Sequence, residues 1–179
     1  MYADDLQLYI TFKPVSSSFD SATESLKHCI EDISSWMSSN KLKLNENKTE
    51  VIILAKKNQP SFSQLSIGNT SVSSSTNVRN LGVSLDKELN MQSQVTSVCK
   101  SAYFHLKNIA RVRKYLTVAA AESLVHAFIT SRIDYCNSLL YEISNLVISK
   151  LQQVQNSAGR LILHVKKREH ITPTLVKLH

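Results

Sequence analysis

Two adjacent carboxylates, Asp4 and Asp5, are the side chains of this sequence that most clearly suggest chemistry. They lie between Tyr2 and Ala3 on one side and the alternating stretch LQLYITF on the other. Two like charges held at one bend repel, and a divalent cation can offset that repulsion. Mg²⁺ favours such oxygen ligands and combines one or two carboxylates with substrate phosphates. The pair therefore predicts a magnesium site suited to two-metal phosphoryl transfer, with an ordinary surface turn as the alternative.

The hydrophobic pattern predicts the elements that would position this pair. We expect a hairpin around Asp4 and Asp5, a helix over residues 18–39 and a buried strand over residues 50–55. QLSI and TSVS predict a short hairpin. VRNLGVSLD predicts one strand in which Gly82 marks a bulge or a close backbone approach. From Leu89 the pattern is helical. The predicted fold class is α+β: a mixed region over residues 1–89 and a helical region over residues 90–179.

Three apolar faces define the helices of the second region. Thr117 is the predicted N-cap of the middle one. The side chains that mark the faces are Met91, Val95, Val98, Ala102, Leu106 and Ile109 for the first; Ala121, Leu124, Val125, Phe128 and Ile129 for the second; and Leu146, Leu151, Val154, Ala158, Leu161 and Val165 for the third.

The net charge of +7 is distributed unevenly along the 179 residues. Residues 1–89 contain 9 basic and 10 acidic side chains, whereas residues 90–179 contain 12 basic and 4 acidic ones. All of the excess positive charge therefore belongs to the second region. This asymmetry predicts a polyanionic partner for residues 90–179. A solvated basic surface without a partner is the alternative.

The composition excludes several other classes of protein. An apolar content of 42% with only 3 Gly and 3 Pro indicates a chain with a core. No apolar run approaches the ~20 residues of a membrane span, and no basic-then-apolar leader precedes the aspartates. Cys29, Cys99 and Cys136 are widely spaced, which favours reduced cysteines without structural zinc. We expect an intracellular protein without membrane contact, in either nucleus or cytoplasm.

Several segments, in this order, resemble the reverse transcriptases of non-LTR retrotransposons of the jockey-like kind. MYADDLQLY resembles the catalytic hairpin, with its aromatic-x-Asp-Asp motif, and LKLNENKTEVIIL resembles the Asn-x-x-Lys-Thr block of the palm. VRNLGVSLD resembles the Leu-Gly-Val strand. YLTVAAAESLVHAFITSRIDYCNSLLY and LQQVQNSAGRLI resemble the helical thumb, and HITPTLVKLH resembles a block soon after it. The resemblance implies RNA-directed DNA polymerisation by a partial palm followed by a thumb.

The resemblance also implies roles for individual residues. Asp4 and Asp5 would be catalytic and bind Mg²⁺. Lys48 would assist pyrophosphate departure, with a solvated lysine that closes a turn as the alternative. Tyr2, Ala3 and Gly82 would lie beside the primer terminus. An RNA template, a DNA primer and a dNTP would be the ligands. Asn80 occupies a position where many relatives have an aromatic residue.

The basic side chains of the second region would contact phosphates of the template–primer duplex. The predicted contacts are Lys100, Lys107, Arg111, Arg113 and Lys114. Tyr103, Phe104 and Tyr115 are interleaved with these cations and would stack on bases, although for Phe104 we expect core packing in preference to stacking.

The family also has a third catalytic carboxylate and fingers upstream of the Asp-Asp hairpin. We expect a C-terminal fragment without them, which binds Mg²⁺ weakly, does not polymerise alone and has an unpaired sheet edge prone to association. Two alternatives remain open: a non-catalytic nucleic-acid-binding module, and a relic of a decayed element.

Overall fold

The computed structural model describes residues 5–13, 15–54, 65–67 and 70–178. The fold is α+β and has two compact units, the first ending at Val78 and the second beginning at Arg79. The boundary was predicted near residue 89. The strand Val83–Asp86, which the prediction assigned to the first region, packs on the first helix of the second unit, where the Ser84 amide donates to Gln94 Oε1 at 2.9 Å. No helix within the described ranges combines the length and apolar character needed to cross a membrane.

The first unit contains α1 (Ser16–Ser39), which confirms the predicted helix. Its apolar face buries Phe19 and Ala22, and the Phe12 ring meets the Phe19 ring edge-on at 5.0 Å between centroids. β1 (Leu65–Ile67) and β2 (Thr70–Val72) form the predicted antiparallel hairpin, with Leu65 opposite Val72. Apolar side chains of α1 and of the segments flanking it surround a cleft of about 600 Å³.

Two predicted strands of the first unit differ in the structure. Residues 5–13 form no strand, and for residues 50–54 the described part of the chain shows one parallel bridge, between Val51 and Ser74. A strand gains its backbone hydrogen bonds from a neighbouring strand, so apolar alternation alone does not produce one. The bend at Asp4, and residue 55, lie outside the described residues.

The segment VRNLGVSLD forms a hairpin, so the prediction of one strand with a bulge was wrong. β3 (Asn77–Asn80) and β4 (Val83–Asp86) are hydrogen-bonded neighbours joined by Leu81 and Gly82. Both joining residues have positive φ, 45° and 83°, as in the type I′ turns that connect tightly paired strands. Gly82 therefore lies in the turn itself.

The second unit is built mainly from helices. The helices are α2 (Gln92–Val112), α3 (Val118–Val125), α4 (Ser131–Asp134), α5 (Asn145–Leu163) and α6 (Thr172–Leu178). α2 and α5 form the most extensive packing contact, and Val95, Ala102, Val154 and Ile129 are among the most buried side chains. Thr117 caps α3 as predicted, because its side-chain oxygen accepts from the Ala120 amide at 3.2 Å.

Phe128 and Leu146, which were predicted on the apolar faces of their helices, are exposed instead. A π-helical turn over His126–Thr130 follows α3 and shifts the phase of the buried face, so Val125 and Ile129 are buried and Phe128 points outward. Leu146 is 80% exposed because the buried face of α5 begins one residue later, at Val147.

Candidate nucleic-acid interface

One side of α2 presents basic and aromatic side chains together. Lys100, Tyr103, Phe104, Lys107 and Arg111 are spaced so that they share one helix face, and all five are exposed. We call these five residues the basic–aromatic face. The buried residues of the same helix, Val95, Ala102, Leu106 and Ile109, lie on the opposite side and pack into the core.

Lys114 and Tyr115 continue this surface beyond the end of α2. They belong to a short 3₁₀ turn, Arg113–Tyr115, and both are exposed. The Lys114 Nζ lies 4.7 Å from the centroid of the Tyr115 ring, within the range of a cation–π interaction.

The electrostatic environment of the basic–aromatic face is positive. The sequence contains no Asp or Glu between residues 89 and 121. Across the part of the chain that the structure describes, no carboxylate forms an ion pair with Lys100, Lys107, Arg111 or Lys114. These four cations are therefore available to a polyanion, for which uncompensated charge on one helix is favourable.

The aromatic rings of this surface are open to solvent. Tyr103 is 43% exposed, Phe104 is 61% exposed and Tyr115 is 76% exposed. The expectation that Phe104 packs into the core was therefore wrong. Its position follows from the helix period: Phe104 lies beside Lys100 and Lys107, four residues before it and three after it, and away from the core face.

A ring contact that the sequence did not predict adjoins the face. The His105 ring stacks on the Phe128 ring at 5.1 Å between centroids, and it meets the Phe104 ring edge-on at 5.4 Å. The sequence offered no signal for this contact, because it depends on the outward turn of Phe128 in the π-helical segment.

Arg113 has a different role from the predicted phosphate contact. Its side chain is 5% exposed and donates Nε–H to the Leu161 carbonyl oxygen at 2.9 Å and an Nη1 hydrogen to the Leu116 carbonyl oxygen at 2.8 Å. A third bond runs from Nη2 to the carbonyl oxygen of Ile162. Since the guanidinium is committed to these carbonyls, Arg113 is a structural residue that secures the last turn of α5.

The predicted catalytic residues belong to the first unit. Asp5 is exposed in the segment 5–13, and Lys48 is exposed at the end of a 3₁₀ turn, Glu46–Lys48. Tyr2, Ala3 and Asp4 lie outside the described residues. Within the described ranges, no group of three or more His, Cys, Asp or Glu side chains is placed to hold a metal ion. The magnesium site at Asp4 and Asp5 stays a prediction.

Gly82, predicted to lie near a primer, is held in the second unit by Tyr135. The Tyr135 hydroxyl donates to the Leu81 carbonyl oxygen at 2.6 Å, and the ring lies beside Gly82. Tyr135 thus fixes the β3–β4 turn, a contact over 54 residues of sequence that no local pattern indicates.

Cysteine chemistry has no evident part in this surface. Burial raises the pKa of the Cys99 thiol, and the Lys150 ammonium opposes that effect more weakly. The raised pKa disfavours the thiolate, which is the nucleophilic form of cysteine.

Comparisons of the chain with protein-family models, with curated proteins and with solved structures found no match.

Proposed function

We propose that this chain is part of an RNA-directed DNA polymerase of the non-LTR retrotransposon kind, and that its second unit binds the RNA template and DNA primer. The ordered resemblance of its motifs to that family supports the polymerase assignment. The observation that carries the binding function is the basic–aromatic face of α2, whose exposed cations form no ion pair within the described residues.

Phosphate contact is the role we assign to Lys100, Lys107, Arg111 and Lys114. The side chains are exposed along one helix and the turn that follows it, which suits the regular spacing of phosphates on a nucleic-acid backbone. Such contacts contribute affinity with little sequence preference. Arg113 is omitted from this set because its donors bond to carbonyl oxygens inside the unit.

For the polymerase, we propose that Asp4 and Asp5 bind Mg²⁺ and that a primer 3′-hydroxyl attacks the α-phosphate of a dNTP. Two metal ions would stabilise the attacking and leaving oxygens. Lys48 would assist pyrophosphate departure, and Tyr2, Ala3 and Gly82 would border the primer end. In the resembling family a third carboxylate completes this metal site, so we predict that the 179-residue chain alone does not extend a primer.

Binding and catalysis are tested separately with the purified chain. Fluorescence anisotropy with a labelled RNA–DNA primer–template, at low and at physiological salt, should show binding that weakens as salt rises. Absence of binding at low salt would overturn the proposal for the second unit. Primer extension in Mg²⁺ measures catalysis; extension that is lost in Asp5→Ala would contradict the prediction of inactivity and would locate the metal site.

A non-catalytic nucleic-acid-binding module is the second candidate. It is favoured by one observation: the basic–aromatic face belongs to a unit with its own hydrophobic core, formed largely by α2, α3 and α5. Competition between an RNA–DNA primer–template that has an unpaired template overhang and RNA alone for the purified chain distinguishes the two candidates. A polymerase should favour the primer–template, whereas a general module should bind the two equally.

A further inference from the structure

We propose that the basic–aromatic face of α2 binds an unpaired nucleic-acid strand, with bases stacked on Tyr103 and Phe104. This proposal rests on the proposed nucleic-acid-binding function and specifies which form of nucleic acid this face takes. The reason is the combination of exposed rings and exposed cations on one helix.

Two aromatic rings on α2, those of Tyr103 and Phe104, are exposed to solvent. Phe104 is a wholly apolar side chain, and 61% of its surface is exposed on a helix whose other face already supplies core residues. A lone exposed apolar residue is ordinary, but Tyr103 lies beside it and the Phe104–His105–Phe128 ring contacts extend the aromatic surface toward the π-helical turn. The face therefore offers a solvent-exposed area of aromatic rings on which other planar groups can stack.

Exposed cations lie on both sides of these two rings along α2. Lys100 and Lys107 flank the two rings along the helix, and Arg111 lies one turn further. From Lys100 to Arg111 the helix rises about 17 Å, enough for a few nucleotides. A strand lying along α2 would have its phosphates near the three cations and its bases near the two rings.

Whether this face binds a single strand or a duplex depends on which parts of the nucleic acid the exposed rings can contact. In a duplex the base faces are covered by their neighbours, so an exposed ring finds mainly sugars and phosphates. An unpaired strand exposes base faces, and stacking of bases on aromatic side chains is tolerant of sequence because every base has such a face. Cations alone would bind the phosphates of either a single strand or a duplex. The exposed rings, which stack on unpaired bases, therefore favour the single strand.

The test compares one labelled oligonucleotide of about 16 nucleotides as a single strand and as a duplex with its complement. Anisotropy is measured for the full chain and for the double variant Tyr103→Ala, Phe104→Ala. The matched control is Tyr141→Ala, which removes an exposed ring that lies outside α2. A second double variant, Tyr103→Phe with Phe104→Tyr, keeps both rings.

We expect the unchanged chain to bind the single strand more tightly than the duplex. The double Ala variant should weaken single-strand binding at least about fivefold while changing duplex binding less than about twofold. The salt dependence of single-strand binding should stay the same, since no charge is removed. The ring-keeping variant and Tyr141→Ala should both retain the affinity of the unchanged chain.

Equal losses for the two forms, or no loss for the single strand, would overturn the proposal. Duplex binding without single-strand binding would overturn the single-strand proposal, but it would leave the proposed nucleic-acid-binding function intact. Failure to bind either form would overturn both. Because the two substituted side chains are exposed, thermal melting should show a fold unchanged from that of the parent chain.

Discussion

At the scale of single residues, Arg113 joins two helices by hydrogen bonds to three main-chain oxygens. Leu161 and Ile162, whose carbonyls it contacts, belong to the last turn of α5, where the helix leaves such groups without internal partners. A positive charge at that helix end also interacts favourably with the helix dipole. The neighbouring cation, Arg111, is exposed. Two arginines two residues apart therefore have different roles.

Arg113→Ala should destabilise the second unit by about 3 kcal/mol, because it removes charge-assisted hydrogen bonds and leaves buried carbonyls without donors. Arg111→Ala is the matched control and should change the free energy of unfolding by less than about 0.5 kcal/mol. Urea unfolding followed by circular dichroism measures both. Similar values for the two variants would contradict the structural role of Arg113.

Two glycines of the second unit differ in what an added methyl group would do. At Gly82 φ is +83°, so Gly82→Ala should cost about 1–2 kcal/mol in backbone strain. At Gly159, inside α5, an added Cβ would meet Leu175, Leu178 and Thr174 at 3.5 Å, an ordinary contact distance. Gly159→Ala should therefore stabilise the fold by about 0.5–1 kcal/mol through helix propensity. Thermal unfolding should give opposite shifts in Tm, and shifts of the same sign would contradict this account.

At the scale of elements, α2 is oriented by the carboxylate of Asp86 at its start. The Asp86 Oδ1 accepts from the amides of Glu88 and Asn90 at 3.1 and 3.0 Å, and Oδ2 accepts from the Met91 amide at 2.9 Å. These bonds hold a segment in which Leu89 and Met91 both have positive φ. The end of β4 is thereby linked to the first turn of the helix that presents the basic–aromatic face.

Asp86→Ala should destabilise the second unit by about 1–3 kcal/mol, because three amide donors near the start of α2 lose their acceptor. Asp86→Asn keeps one side-chain oxygen as an acceptor, so it should lower the free energy of unfolding by less than Asp86→Ala does. The measurement is urea unfolding of both variants alongside Glu88→Ala, which alters an exposed carboxylate two residues away. If Asp86→Ala were as stable as Glu88→Ala, the link between β4 and α2 would be unimportant.

Helical elements were predictable from sequence to a greater degree than the strands were. The periodic apolar faces predicted α1, α2 and α5, and the Thr117 cap predicted the start of α3. These features depend on neighbouring residues along the chain. Over its described residues, 50–54, the predicted strand was wrong, because strand pairing depends on a distant partner and the bridge seen there joins Val51 to Ser74.

The candidate interface was predicted in part. The spacing of Lys100, Lys107 and Arg111 already placed three cations on one helix face. The sequence could not separate Arg113 from them, because its burial depends on α5, 48 residues further along the chain. The outward position of Phe128 likewise depends on the π-helical turn, which apolar periodicity does not predict.

At the scale of the whole molecule, the division of charge follows the division into units. The residues of the second unit, 79–179, contain 14 basic and 6 acidic side chains, whereas residues 1–78 contain 7 basic and 8 acidic ones. The positive excess therefore belongs entirely to the unit that presents the basic–aromatic face. If the chain attracted polyanions only because of its basic composition, both units would be positive. The observed distribution instead favours binding of a polyanion by the second unit.

The measurement that tests this account most directly is the salt dependence of nucleic-acid binding by two charge variants with equal net charge. One replaces Lys100, Lys107 and Arg111 by Gln. The other replaces Lys166, Lys167 and Arg168 by Gln, which removes an exposed run outside α2. We predict that the α2 variant lowers the slope of log affinity against log salt by about 2, as expected for three lost phosphate contacts, while the other variant changes it little. Equal changes in the two variants would contradict the assignment of binding to the α2 face.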